Sequence, residues 1–191
     1  MNHFFAFISR MRNIKRWSLM RNSYEENDME HAAQTAILAH ALAVIRNAKF
    51  GGDVDADRVS TLALYHDSSE VITGDMATPI KYYNPEIERA FKSIELVASR
   101  KLLSMLPESL QDTYAEYLSP DTQSEEWRIV KAADTLAAYL KCVEELKAGN
   151  GEFRSAAVAT LDKLHSMKRP EVLFFLNEFA SSFAMTLDEL G

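Results

Sequence analysis

The chain has 191 residues, 47% of them hydrophobic, enough for one domain with a sizeable buried core. Six glycines and five prolines are few for a turn-rich β protein, and the single cysteine, Cys142, excludes a disulfide framework and a thiolate zinc site and points to a reducing compartment. The net charge of −7 argues against a nucleic-acid polymer as partner, and the longest apolar run, "AILAHALAVI", is too short to span a bilayer.

The charge is uneven along the chain. Arg10, Arg12, Lys15, Arg16 and Arg21 occur in the first 24 residues without an acid, leaving 16 basic and 28 acidic side chains in the rest. This basic start carries Phe4, Phe5, Phe7, Ile8, Met11 and Ile14 at near-helical spacing and reads as a folded helix. A transit-like amphipathic segment, or a source of cations for an anion site, are the competing readings. Asn27 followed by Glu30 is a capping box that opens a helix ending at Gly51-Gly52. Asp55 or Asp57 caps the next helix, "ADRVSTLALYHDSSEVI", which the pattern carries to about Gly74. The irregular "TGDMATPIKYYNP" follows, then a helix from Pro85 to about Leu106 and a short one after Pro107. Thr122 with Glu125 reads as a second capping box before a helix that Gly149 and Gly151 end, and two last helices fit 152–168 and 170–180. No strand-like alternation, repeat or linker occurs, so an all-α single domain over 1–191 is expected.

Several polar groups stand in apolar surroundings. In "TLALYHDSSE", His66 and Asp67 emerge from an apolar stretch, and desolvated side chains of that kind need partners. A continuous helix would put Glu70 one turn from His66 and on the same side as Asp67. A His–Asp pair capping a helix C-terminus is the structural alternative. Asp134 sits among Ala132, Ala133, Ala137 and Ala138, an environment for a buried carboxylate that is paired or metal-bound. His31 lies in the first turn of its helix. His40, nine residues on, faces the opposite side among Ile37, Leu38, Leu42 and Val44 and reads as a core histidine; His3 and His165 carry no signal. The candidate set is His31, His66, Asp67 and Asp134, two imidazoles and two carboxylates, suited to Mn²⁺, Co²⁺, Fe²⁺, Ni²⁺ or Zn²⁺ with positions left open for water and substrate.

The ordered pattern H…HD…D, extended by Glu70, resembles the HD-domain metal-dependent phosphohydrolases. The stretches "HFFAFISRMRNIKRWSLMRN", "AHALAVIRNAKFGGDVDADRV", "YHDSSEVITGDMATPIKYYN" and "AAYLKCVEELKAGNGEF" resemble the bacterial 5′-deoxynucleotidase branch along nearly the whole chain. The resemblance implies a compact helical HD domain with its metal site between helices. It implies a homodimeric cytoplasmic enzyme that hydrolyses deoxyribonucleoside 5′-monophosphates with Co²⁺ or Mn²⁺. It also implies that Arg16 orients the phosphate, that Trp17 binds substrate, and that Asp75, Met76, Ala77 and Thr78 border the nucleotide, although a leucine and a proline are expected at 76 and 77. Asp67 and Asp134 would touch both metal and substrate. Glu70, one turn from the ligands and not needed as one, is the candidate general acid or base. Another nucleotide phosphate ester as substrate, or a catalytically silent binding module, are the alternatives.

Overall fold

Helix α2 (Asp28–Phe50) carries a stripe of small side chains, Ala32, Ala36, Ala39 and Ala43, that are almost without solvent contact. Small residues let neighbouring helices approach closely, and α3 (Ala56–Tyr65) and α8 (Glu125–Lys147) do so with Ala63, Ala132, Ala133 and Ala137, all fully buried. Leu42, Leu62, Ile129, Leu136 and Leu140 fill the spaces between them, and Val172 and Phe175 close the cluster from below. This computed structural model describes residues 2–81 and 83–191, with Thr78 and Pro79 described by their backbone alone.

The other helices are α1 (Phe4–Ile8), α4 (Glu70–Thr73), α5 (Thr78–Lys81), α6 (Pro85–Leu103), α7 (Glu108–Leu118), α9 (Arg154–Ser166) and α10 (Pro170–Glu178). Among the described residues there is no strand, only an isolated antiparallel bridge between Lys15 and Asn27. The all-α expectation holds, and no helix among the described residues is long and apolar enough to cross a membrane. The Asn27–Glu30 capping box forms in both directions, and α2 ends where Gly51 takes the left-handed conformation, φ 66°. Asp55 caps α3 through the Arg58 amide, and Asn84 precedes Pro85 at the start of α6.

Four expectations need correction. The basic start is not one helix. Only α1 and a 3₁₀ turn over Ser9–Asn13 form, because the chain then straightens to pair with the segment before α2. The cap of α8 is Ser124, whose hydroxyl accepts from Trp127 N–H at 3.1 Å, not Thr122, which lies too far upstream. His40 is no core residue: its side chain is 48% exposed, and its Nε2 lies 3.7 Å from the exposed Asp57. Ile37 and Val44, which suggested burial, are themselves exposed, so the apolar run around His40 is only partly a core face. Finally, α3 does not run on to Gly74 but stops at Tyr65. His66 Nδ1 takes the Ala63 carbonyl at 2.7 Å, the acceptor an α-helix would offer to Asp67, and the chain tightens into three-residue turns through Glu70.

Candidate metal and phosphate site

That interruption places the ligands. Hydrogen-bonding of His66 Nδ1 to a carbonyl makes Nδ1 a protonated nitrogen and leaves Nε2 as the one that can take a proton or an ion. His66 is fully covered, and its Nε2 has no satisfying hydrogen bond, as expected of a nitrogen waiting for an ion. His31, buried in the first turn of α2, reaches the same point from the opposite wall. Its Nε2 lies 3.2 Å from Asp134 Oδ1, with Thr35 Oγ1 at 3.4 Å. The ligand atoms of His31, His66 and Asp134 all lie within 4.8 Å of one another. Asp67 sits at the edge of this group, its Oδ2 2.9 Å from His66 Nε2 and 3.8 Å from His31 Nε2. Two nitrogens and up to four carboxylate oxygens, one ring nitrogen orphaned, fit a borderline or hard divalent cation.

Arg16 approaches from the segment after the 3₁₀ turn. Its Nη1 lies 3.4 Å from Asp67 Oδ2 and 3.8 Å from Asp28 Oδ1, and its Nε donates to Glu26 Oε2 at 3.3 Å. Burial disfavours its charge, but Asp67, Asp134, Glu26 and Asp75 outweigh that and hold the guanidinium above its ordinary value. Trp17 follows with its ring tilted against Phe153, centroids 5.3 Å apart, and its indole N–H on Glu26 Oε2 at 3.1 Å.

The acids divide by surroundings. Burial opposes ionisation of Asp134, but Lys131, 2.6 Å from Oδ2, and the His31 and His66 rings hold it well below the usual carboxylate range. Asp67 is likewise depressed, burial being overcome chiefly by His66. Burial also disfavours a charged His66, yet Asp67 and Asp134 raise it to about 9. Glu70 differs: burial and the charges of Asp67, Asp28 and Asp75 push it up to about 11, and its Oε2 has no hydrogen-bond partner. Asp28, fully buried, rises to about 7, mainly through burial and against the pull of Arg16 and of a hydrogen bond with Glu70. Asp75, raised by burial, borders the same space. Met76 and Ala77 are half-buried beside it; the Thr78 side chain lies outside the described residues.

The structure therefore brings together His31, His66, Asp67, Asp134, Glu70 and Arg16, with Trp17 and Asp75 at the margin. Sequence reasoning missed Glu26, Asp28 and Lys131. Two signals could have found them: the acid-rich "EENDME" directly before His31, and the i,i+3 spacing of Lys131 and Asp134.

This helical arrangement, with histidines and aspartates in the order H…HD…D, has the fold of the HD-domain phosphohydrolases. An HD-domain phosphohydrolase from Listeria innocua superposes with a TM-score of 0.78 at 25% identity, over 95% of this chain and 88% of its own. At the level of fold alone, a cyanophage S-2L HD phosphohydrolase, solved with dA and one catalytic Zn²⁺, superposes with a TM-score of 0.64 at 18% identity, over 93% of this chain and 96% of its own. The chain belongs to the YfbR-like 5′-deoxynucleotidase family, whose model matches residues 3–183. It is 54% identical to a 5′-deoxynucleotidase of Vibrio vulnificus and 51% identical to one of Yersinia pseudotuberculosis, each over 100% of this chain and 98% of the relative.

Proposed function

We propose that this protein hydrolyses deoxyribonucleoside 5′-monophosphates to deoxyribonucleoside and phosphate, using a divalent ion held by His31, His66, Asp67 and Asp134. The observation that carries the reading is the convergence of His31, His66 and Asp134 within 4.8 Å, beside a buried arginine, in a chain about half identical to 5′-deoxynucleotidases over its full length. The bound ion would supply Lewis acidity, lowering the pKa of a water and screening the phosphoryl oxygens. Co²⁺ and Mn²⁺ are the expected ions, the mixed imidazole and carboxylate donors also admitting Zn²⁺.

The chain's own groups divide the remaining work. Arg16 offers two terminal amino groups as a fork for the phosphate, its Nε being already committed to Glu26. Asp67 and Asp134 orient the attacking water and border the phosphoryl group. Glu70, buried, held protonated and with Oε2 free of any hydrogen-bond partner, gives a proton to the departing 5′ oxygen and takes one back in the next cycle. Trp17 packs on the sugar or base, and the Asp75–Thr78 segment borders the nucleotide. The same reading includes a homodimer in the cytoplasm, and the buried unpaired Cys142 supports a reducing compartment.

The test is phosphate release from dAMP, AMP and 3′-dAMP by metal-stripped protein, with and without added Co²⁺ or Mn²⁺. Metal-dependent release from dAMP above AMP, and none from 3′-dAMP, is expected; no metal-dependent release from any 5′-monophosphate refutes the reading. Light scattering at micromolar concentration tests the dimer.

A further inference from the structure

Arg16 and Trp17 are adjacent in sequence, yet their side chains must reach the site from a segment with almost no regular structure. One residue holds both. The carboxylate oxygen Oε2 of Glu26 accepts from Arg16 Nε at 3.3 Å and from Trp17 Nε1 at 3.1 Å. The Glu26 carbonyl also accepts the Arg16 N–H at 3.0 Å, and Asp28 N–H donates to the Ile14 carbonyl at 3.1 Å, so the segments pair antiparallel. Side chains alternate along that pairing. Lys15 and Glu25 form an ion pair in solvent, while Arg16 and Glu26 turn inward, Glu26 being only 9% exposed.

Two further observations give this contact a purpose. Trp17 has φ 55°, the left-handed region in which a bulky L-residue is strained, and such strain persists only where surrounding bonds over-determine it. Glu26 also directly precedes Asn27, the cap of the helix that carries His31. Its backbone is thereby tied to the metal-ligand helix and its side chain to the substrate pair.

We propose that Glu26 is the positioning residue of the substrate clamp: by binding the back edge of the Arg16 guanidinium and the Trp17 indole through one oxygen, it sets both against the metal ligands. This rests on the reading that Arg16 and Trp17 contact the nucleotide. Occupying Nε leaves the terminal amino groups of Arg16 facing Asp67 and the phosphoryl position, and it fixes the indole plane at the same time. An amide in place of the carboxylate has the same shape and can keep one acceptor oxygen at the Oε2 position, but that oxygen is neutral where the carboxylate's is charged. Both bonds then weaken, because neither is charge-assisted on the acceptor side any longer.

The test compares Glu26→Gln with Arg16→Ala and Trp17→Phe, alone and combined, by kcat/KM for dAMP with Mn²⁺. The two indole N–H resonances, from Trp17 and Trp127, are followed in ¹⁵N-labelled protein. Glu26→Gln is expected to lower kcat/KM about tenfold. The loss should shrink to within about twofold when Arg16 and Trp17 are already replaced, because the residue acts through them. One indole resonance should shift while the other stays. An unchanged kcat/KM in Glu26→Gln beside a damaged Arg16→Ala overturns the proposal alone. A silent Arg16→Ala removes the clamp reading together with the proposal. A tenfold loss persisting in the Arg16→Ala, Trp17→Phe background also overturns it, since Glu26 then acts elsewhere. If Glu26→Ala fails to fold, the near-isosteric Glu26→Gln still decides, and an unmoved indole resonance there counts against the proposal.

Discussion

Glu145, at the far end of α8 from the metal ligands, makes the most demanding test of how the clamp segment is held. Its fully buried carboxylate accepts hydrogen bonds from four donors: Ser23 N–H at 2.8 Å, Tyr24 N–H at 3.1 Å, Lys141 Nζ at 2.6 Å and Asn150 Nδ2 at 2.8 Å. Lys141, 5% exposed, has no other anion among these contacts, only the Tyr24 carbonyl. Removing one partner of a buried pair leaves the other charge unpaired and costs about 3–5 kcal/mol. Glu145→Ala should therefore lose about 4 kcal/mol, and Glu145→Gln about 2–3 kcal/mol because one neutral acceptor survives. In a chain of this size the Ala variant should melt roughly 10 °C lower. The double change Lys141→Met, Glu145→Leu should lose less than Glu145→Ala, since both charges go and the exposed Ser23 and Tyr24 amides can turn to water. Burial opposes ionisation of Glu145, but Lys141 and the Ser23, Asn150 and Tyr24 donors outweigh it and lower it to about 2. A depressed acid stabilises above its unfolded value and loses that stability as pH falls through its folded one. The gap between wild type and Glu145→Gln should hence be full near pH 7 and close between about pH 4.5 and 2. Urea titrations across that range measure it. A gap under about 1 kcal/mol at pH 7, or one that does not close in acid, would refute the account.

Three other outcomes follow from the site. Glu70→Gln should keep bound metal, measured by elemental analysis after gel filtration, yet lose about 10²–10⁴ in kcat; near-full activity would remove Glu70 from the chemistry. The same variant should be more stable than wild type without metal at pH 8. An acid raised to about 11 in the fold loses stability as pH climbs above its unfolded value, and glutamine escapes that loss; a few degrees in melting temperature is the expected gain. His66 is raised to about 9 without metal, so metal must displace a proton below that pH. Calorimetric affinity for Mn²⁺ should rise about tenfold per pH unit from pH 6 to 8 and flatten above pH 9, and a flat profile throughout would argue that His66 is not a ligand.

The helices that carry the site were legible because their signals are local. The Asn27–Glu30 box, the Gly51 stop and the alanines around Asp134 each act over one or two turns, and the structure keeps all three. Reading stopped where a side chain competes with the backbone. No periodicity marks the loss of the Ala63 carbonyl to His66 Nδ1, yet that bond ends α3 and turns His66, Asp67 and Glu70 from a helical face into a set of tight turns. The candidate residues still converge, because the tight turns keep His66 and Asp67 beside His31 and Asp134. His40 failed for the opposite reason. Its neighbours are apolar, but on α2 Ile37, His40 and Val44 share the exposed side, while the alanines and Leu42 face the core. Glu26 was invisible in a different way, since its partners lie across a non-local pairing between two irregular segments, which leaves no period to read.

On the proposed function, the charge distribution gives a reason for the site to need an ion before it accepts substrate. Around the candidate ligands stand Glu26, Asp28, Asp67, Glu70, Asp75 and Asp134, against Arg16, Lys131 and, without metal, a charged His66, with Lys81 acting on Asp75. With every acid ionised, that surplus of negative charge would be buried, which is costly, and Glu70 and Asp28 answer it by holding protons. A phosphate monoester brings further negative charge into the same space. Arg16 cannot offset it alone, because its guanidinium already faces Glu26, Asp28 and Asp67. A divalent cation among His31, His66, Asp67 and Asp134 would reverse the local balance and free the terminal amino groups of Arg16 for the proposed phosphate contact. A dependence on metal would thus follow from the charges around one arginine, and substrate binding, as well as hydrolysis, would then lie downstream of the ion.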